Sequence, residues 1–343
     1  MSKIEELLKQ QQEITAAIQA EYARSKAEAD KGEAQAQYEW GVIHYKGQGV
    51  PQNFAEASRC FKLAAAQGNA LAQIALGGMY EQAQGVAKDA VEAVRLYQLA
   101  AAQGHAVGHC RLGLMYESGQ GVKQDYQEAI RHFKWAAQHG DANAHYAMGN
   151  VYENHHGVEQ DNAEAVRWFK LAAGLGHEDA HIRMGLLLEQ GHGVRQDYAE
   201  AMRCFMVLAA KGHAQAQIQV GTMYDQGFGV KQDYLQAKRW FSLAAAQNDP
   251  VAQTKMGLIY ANGKGVPQNY AEGIRWYKLA AAQDNAAAMS NLGFMFEHGL
   301  GVDIDEAQAL QYFNKAARKG DPNAIKNRDI IEARIAARQP HTP

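Results

Sequence analysis

The sequence predicts an all-α fold: a right-handed α-solenoid of about eight 36-residue helix-turn-helix repeats with capping helices at both ends. Three observations carry this prediction. Glycine recurs at a fixed 36-residue interval, the residues between follow a 3.6-residue apolar period, and proline and strand-forming residues are scarce. Glycine stands at 41, 77, 113, 149, 185, 221, 257 and 293. It stands again at 49, 85, 121, 157, 193, 229, 265 and 301, each time followed by valine. The register holds without insertion, so eight units run from about Gly32 to Lys319 and a ninth opens at Gly320.

Residues 1–31 precede the repeats. Ile4, Leu7, Leu8, Ile14, Ile18 and Tyr22 place an apolar stripe on one amphipathic helix. That helix either caps the first unit or forms a short coiled coil through which the chain self-associates. The heptad breaks at Gln11, which favours capping.

The third unit shows how each repeat is built. Ala106 to Ser118 reads as a first helix with Leu112, Met115 and Tyr116 on its apolar face. Gly119-Gln120-Gly121-Val122 stops it and turns the chain, and Asp125 opens a second helix from Tyr126 to Gln138. Ala129, Phe133, Ala136 and Ala137 share one face of that second helix. Its opening repeats across the chain as Asn53, Asp89, Asp125, Asp161, Asp197, Asp233, Asn269 and Asp305, each with Glu or Gln three residues later. This is an Asx version of the capping box, in which each side chain can satisfy an orphan amide. The first helices carry their own caps, such as Asp249-Pro250 and Asp321-Pro322. An aromatic at 61, 97, 133, 169, 205, 241, 277 and 313 fills space beside paired alanines. One unit cannot bury both its faces, so stability is expected from stacking neighbours. After the last unit, Asn323 to Ala337 reads as a closing helix with Ile325, Ile330, Ile331 and Ile335 available to cover unit eight. Residues 339–343 read as a frayed tail. The expected organisation is thus 1–31 capping or coiled-coil helix, 32–319 repeats, and 320–343 a partial ninth repeat with tail.

These residues resemble the Sel-one-like repeat, a subclass of the tetratricopeptide-like helical repeats. The resemblance rests on Leu112-Gly113-Leu114-Met115-Tyr116, the Gly119-x-Gly121-Val122 turn, Asp125 with Ala129, and Phe133 before Ala136-Ala137. It covers about 290 residues. It implies a protein-interaction scaffold of the kind used in signalling, secretion, host contact and protein quality control. It does not choose among a regulator, an effector-associated factor and a toxin-neutralising protein. The secreted, cysteine-rich branch of the family pairs cysteines in every unit; this chain has only Cys60, Cys110 and Cys204. The expected setting is therefore a reducing, cytoplasmic one, in a bacterium.

Composition narrows the partner. A net charge of −3 argues against nucleic acid or an anionic membrane surface. No run approaches the roughly 18 apolar residues of a membrane span. The Gly-x-Gly turns lie between helices rather than after a strand, so they read as structure and not as phosphate loops. His109, His145 and His181 share a column with Gln37, Gln73, Gln217 and Gln253. Copies one unit apart would be separated by roughly 8–10 Å, too far to share a metal, so a hydrogen bond to a neighbouring unit is expected instead. The pair His155-His156 is at most a weak metal ligand. Arginine at 59, 95, 131, 167, 203, 239 and 275 follows the capping-box residue by three, which suits a local pair. No catalytic constellation is recognisable, and neither an enzymatic activity nor a cofactor is expected.

Comparison among the eight copies points to a binding surface. On the first helix the columns of Ala72, Leu76, Gly77, Met79 and Tyr80 stay nearly constant, while those of Leu71, Ile74, Ala75, Gly78 and Gln82 vary. The varying columns are spaced to share one stripe. The candidate partner-binding residues on it are Tyr38, Arg111, Leu114, Tyr146, Asn150, Arg183, Leu186, Gln219, Lys255, Leu258, Asn291 and Phe294. In related solenoids the first helices line the concave face. A stripe mixing apolar residues with cations suits a protein or peptide partner of acidic and apolar character.

Overall fold

The computed structural model describes residues 20–338, and these are helical throughout apart from the connecting turns. Helical residues 20–30 are α1. Eight helix pairs follow: α2 (Ala34–Lys46) with α3 (Phe54–Ala66), α4 (Ala70–Gln82) with α5 (Ala90–Ala102), α6 (Ala106–Ser118) with α7 (Tyr126–Gln138), and α8 (Ala142–Glu153) with α9 (Asn162–Gly174). The second four are α10 (Glu178–Gln190) with α11 (Tyr198–Ala210), α12 (Ala214–Gln226) with α13 (Tyr234–Ala246), α14 (Pro250–Asn262) with α15 (Tyr270–Ala282), and α16 (Ala286–His298) with α17 (Glu306–Arg318). Helix α18 (Pro322–Arg338) closes the described chain. The chain divides into two compact units, Met1–Ala180 and His181–Pro343, each described by itself below. Within each unit a helix packs chiefly on the helix next to it in sequence.

The seam inside each pair is a glycine seated under an aromatic ring. In repeat 3 a Cβ placed on Gly113 would lie 2.6 Å from Cε1 of Phe133, far inside contact distance. The same relation links Gly41 to Phe61 and Gly77 to Tyr97 in the first unit, and Gly221 to Phe241 and Gly257 to Tyr277 in the second. These glycines are helical; they are needed for the close approach and not for a turn. The rings they admit are fully buried, together with the alanine column of Ala64, Ala100, Ala136, Ala244 and Ala280. Burying such a ring contributes about 2–3 kcal/mol. The sequence places the aromatics beside the alanines, and the structure adds the glycine that makes room for them.

Capping follows half of the expected pattern. Asp125 accepts from the amides of Gln127 and Glu128, and Asn53, Asp89, Asp161, Asp197, Asp233, Asn269 and Asp305 act likewise. The reciprocal half is replaced. The cap's own amide donates to a carbonyl near the end of the first helix, Asp125 N to Tyr116 O at 3.0 Å and Asp233 N to Tyr224 O at 2.9 Å. The capping-box glutamate is thereby released, and it pairs with the arginine three residues on: Glu56 with Arg59 at 2.6 Å, Glu92 with Arg95 at 2.7 Å, Glu128 with Arg131 at 2.8 Å. All of the arginine column but Arg239, which follows Gln236, is thus engaged locally, most of it at an exposed surface.

At the N-terminal end, Tyr22 lies 4.5 Å from the ring of Trp40, and Ala29 is buried with Trp40 and Cys60. Ile4, Leu7, Leu8, Ile14 and Ile18, on which the coiled-coil alternative rests, fall outside the described residues, as does the tail from 339 onward. At the C-terminal end the expectation needs correction. Ala324, Ile331 and Ile335 pack on the last repeat, but Ile325 and Ile330 are 38% and 44% exposed. Positions 324, 331 and 335 follow one helical face, and 325 and 330 each sit one residue, about 100°, off it.

Candidate functional site

The first-helix stripe is built from columns that the packing leaves open. In the column of Ala75, Arg111 is exposed and Arg183, Gln219, Lys255 and Asn291 are half-buried, while Ala147 is buried. In the column of Gly78, Val42, Leu114, Asn150, Leu186, Thr222 and Leu258 are half-buried, and Phe294 is 45% exposed against His298. Leu114, Leu186 and Leu258 rest their inner sides on the core of their own unit and keep an outer side free.

The column of Ile74 behaves differently, which corrects the sequence reading. Cys110, Ile218, Thr254 and Ser290 in that column are all buried. Ile218 packs among Ala237, Phe241, Ala252 and Met256, in the seam between two repeats. The column borders the buried glutamines at one edge, and it leans into the seam at these four positions but stays half-buried at Ile74 and Ile182. Tyr38 and Tyr146 keep it partly open where they occur. The Tyr38 ring is 5.8 Å from that of Phe61, and Tyr146 stacks at 4.2 Å on His177.

Two cavities open along the stripe, one in each unit. The first, about 280 Å³, is lined by Tyr38, Val42, Ile74, Ala75, Gly78 and Arg111 among others. The second, about 210 Å³, is lined by Lys255 and Leu258 with Asp225 and Lys264. Lys264 holds Asp225 across neighbouring repeats at 2.8 Å.

The histidine and glutamine column is a structural ladder. Gln67 donates to Gln37 Oε1 at 2.8 Å, and Gln103, Gln247 and Gln283 do the same to Gln73, Gln217 and Gln253. Gln73 and Gln217 in turn reach the preceding repeat, donating to the carbonyls of Ala65 and Ala209. In repeat 3 histidines take over: Nδ1 of His109 lies 2.8 Å from Nδ1 of His132, which stacks on Tyr116. Burial, then His109 and Arg131 nearby, push His132 down to about 4. His156 bonds Glu117 at 2.9 Å and stacks on Tyr126. Among the described residues no group of three or more His, Cys, Asp or Glu side chains could hold a metal. The three cysteines are free and buried, and burial pushes the Cys60 thiol up to about 12.

One surface escapes the sequence reading. Leu63, Leu99, Leu171, Val207, Leu243 and Leu279 share one column of the second helix and are 40–53% exposed. The column is apolar in seven of the eight repeats, and nothing in that pattern marks it as outward-facing. Only the packing shows that they face outward.

A 36-residue helix pair with a glycine-seated ring and a Gly-x-Gly-Val turn, repeated eight times, defines a Sel1-type helical-repeat protein. The chain belongs to the Sel1 repeat family, whose pattern matches residues 34–69, 70–105, 106–141, 142–177, 178–213, 214–249, 250–285 and 286–321. Sel1 repeats generally mediate protein–protein interaction. The chain is similar to c5321 from uropathogenic Escherichia coli, a protective antigen displaying an SLR fold, with 32% identity and a TM-score of 0.77 over 91% of this chain and 67% of that one. It is also similar to a Sel1 repeat protein from Oxalobacter formigenes, with 30% identity and a TM-score of 0.63 over 89% of this chain and 88% of that one. No functionally curated protein matches it. No helix among the described residues is long and apolar enough to cross a membrane.

Proposed function

We propose that the protein is a non-enzymatic adaptor that binds another protein or peptide on the open columns of its first helices. One observation carries the reading. The columns of Ala75 and Gly78 vary from repeat to repeat and are also open, fully or partly, in every repeat but at Ala147. Variation on a buried column would alter packing; on an open one it is free to encode recognition. The cations on this surface, Arg111, Arg183 and Lys255, stand beside Leu114, Leu186 and Leu258 one turn on. Such a surface selects partner segments that alternate acidic and apolar side chains. Nucleic acid and membrane lipid are not the partners in this reading, and a reducing cytoplasm is its setting.

Affinity capture from the native cell tests it. Arg111→Glu, Arg183→Glu and Lys255→Glu together are expected to release a partner retained by the wild-type chain. A control with Lys134→Glu, Lys170→Glu and Lys278→Glu changes net charge equally, on exposed second-helix positions, and is expected to keep it. A partner that stays on the first variant, or leaves both equally, refutes the reading.

A further inference from the structure

In the N-terminal unit the open columns fall inward at one place. Repeat 2 carries Ala75 and Gly78, whereas repeats 1 and 3 carry Glu39 with Val42 and Arg111 with Leu114. Gly78 is the only glycine in its column. Unlike Gly77, it is under no steric demand, because a Cβ there would meet nothing closer than Tyr97 Oη at 3.8 Å. The missing side chains leave the cavity of about 280 Å³, near the lower end of ordinary ligand pockets at roughly 300 Å³. Its walls are apolar and aromatic, with Tyr38, Phe61, Ile74, Tyr97 and Val107 among them, and Lys46 and Arg111 also line it. Neither cation forms an ion pair among the described residues. The nearby acids are occupied: Glu81 accepts from Tyr97 Oη at 2.9 Å, and Glu39 accepts from Gln35 at 2.8 Å. A helical glycine costs about 1 kcal/mol relative to alanine, so an unforced one that opens a cavity calls for a reason beyond packing.

We infer that this cavity anchors a partner peptide through one bulky apolar side chain whose flanking carboxylates pair with Arg111 and Lys46. The apolar walls bury the side chain. The two cations that line it give charge-assisted bonds that select acid beside it. An open mouth continuous with the first-helix stripe admits a residue within a chain, so capped peptides are the right probes. This proposal rests on the adaptor reading and narrows it to one anchoring site.

Calorimetric titration of the full chain with acetyl-Asp-Phe-Asp-amide, acetyl-Asn-Phe-Asn-amide and acetyl-Asp-Ala-Asp-amide tests it. The first peptide is expected to bind. Replacing its acids, replacing its phenylalanine, or introducing Arg111→Ala should each weaken binding at least tenfold. Gly78→Leu fills the cavity and should abolish binding while melting no lower than wild type. Ala75→Arg, which installs the residue of repeats 3 and 5, provides a second filled variant with the same expected loss. The inference falls if the first peptide fails to bind at millimolar concentration. It falls equally if both filled variants bind the peptide as wild type does, or if the Asn peptide matches the Asp peptide. Partner capture separates the two proposals. If the triple charge reversal releases the partner but Gly78→Leu does not, the adaptor face stands and the anchoring site is wrong.

Discussion

Two glycines of the N-terminal unit should respond in opposite directions to the same substitution. Gly113→Ala puts a methyl group 2.6 Å from Cε1 and 2.7 Å from Cδ1 of Phe133 and 3.2 Å from the carbonyl oxygen of Ala129. Ordinary carbon contacts lie at roughly 3.5–4.0 Å, so the ring must retreat by about 1 Å. Phe133 has no exposed surface into which to move. Overpacking of this kind costs about 1–3 kcal/mol, against a helix-propensity gain of about 1 kcal/mol. The net expectation is a loss of up to about 2 kcal/mol. Gly174, at the end of α9, has nothing within 4 Å of its added Cβ. Gly174→Ala should therefore stabilise by a few tenths to 1 kcal/mol. Urea unfolding followed by far-UV circular dichroism reads both, as midpoints, because repeat arrays can depart from two-state behaviour. Phe133→Leu completes the test: it should cost less in the Gly113→Ala background than in wild type, with a coupling of about 1 kcal/mol or more. A Gly113→Ala protein more stable than wild type, or additive with Phe133→Leu, would refute the glycine seat.

Four further outcomes follow, three of them from single repeats that break the pattern. Ala83 occupies the left-handed position, φ 57°, that glycine fills in repeats 1, 3, 5, 6, 7 and 8; Ala83→Gly should raise the urea midpoint, a gain of about 1 kcal/mol in stability. His132 titrates near 4 in the folded chain against an ordinary 6.5, so the unfolded chain binds the extra proton first. Its contribution to stability is complete above pH 6.5 and is lost as pH falls towards 4, by up to about 3 kcal/mol. His132→Leu, which installs the residue at Leu96, should flatten the stability profile across that window. Lys264→Met strips the cation from Asp225, a residue only 9% exposed, and should cost about 1–3 kcal/mol. Arg95→Ala, which removes an exposed pair, should cost less than about 1 kcal/mol.

The repeat was legible in the sequence because each of its signals is local and recurs in register. Glycine turns, Asx caps and the 3.6-residue period each constrain a few neighbouring residues, and eight copies make them unmistakable. What escaped depends on contacts that cross helices. The Gly113–Phe133 seat joins positions 20 residues apart, and the glutamine ladder joins Gln73 to Gln103. In principle the paired columns carry the second signal: glutamine meets glutamine at 37 and 67, 73 and 103, 217 and 247, and 253 and 283. The capping glutamates were misassigned because the box motif does not say which acceptor reaches the cap amide, and a carbonyl such as that of Tyr116 reaches it here. The open columns of the first helix are legible in the sequence to within one column. Cys110, Ile218, Thr254 and Ser290 belong to a column that varies like a surface yet are buried at a seam, and sequence variation cannot distinguish the two. The Leu99 column is the converse case, apolar in seven of the eight repeats yet exposed at six of them.

Site-specific photocrosslinking is the most direct test of the adaptor reading. A benzophenone amino acid placed at Leu114 or Leu258, on the open columns of the two units, should crosslink the captured partner. The same group at Leu99 or Leu243, exposed on the second helices, should not. Crosslinks from Leu99 and Leu243 with none from Leu114 and Leu258 would place recognition on the opposite helices and contradict the account.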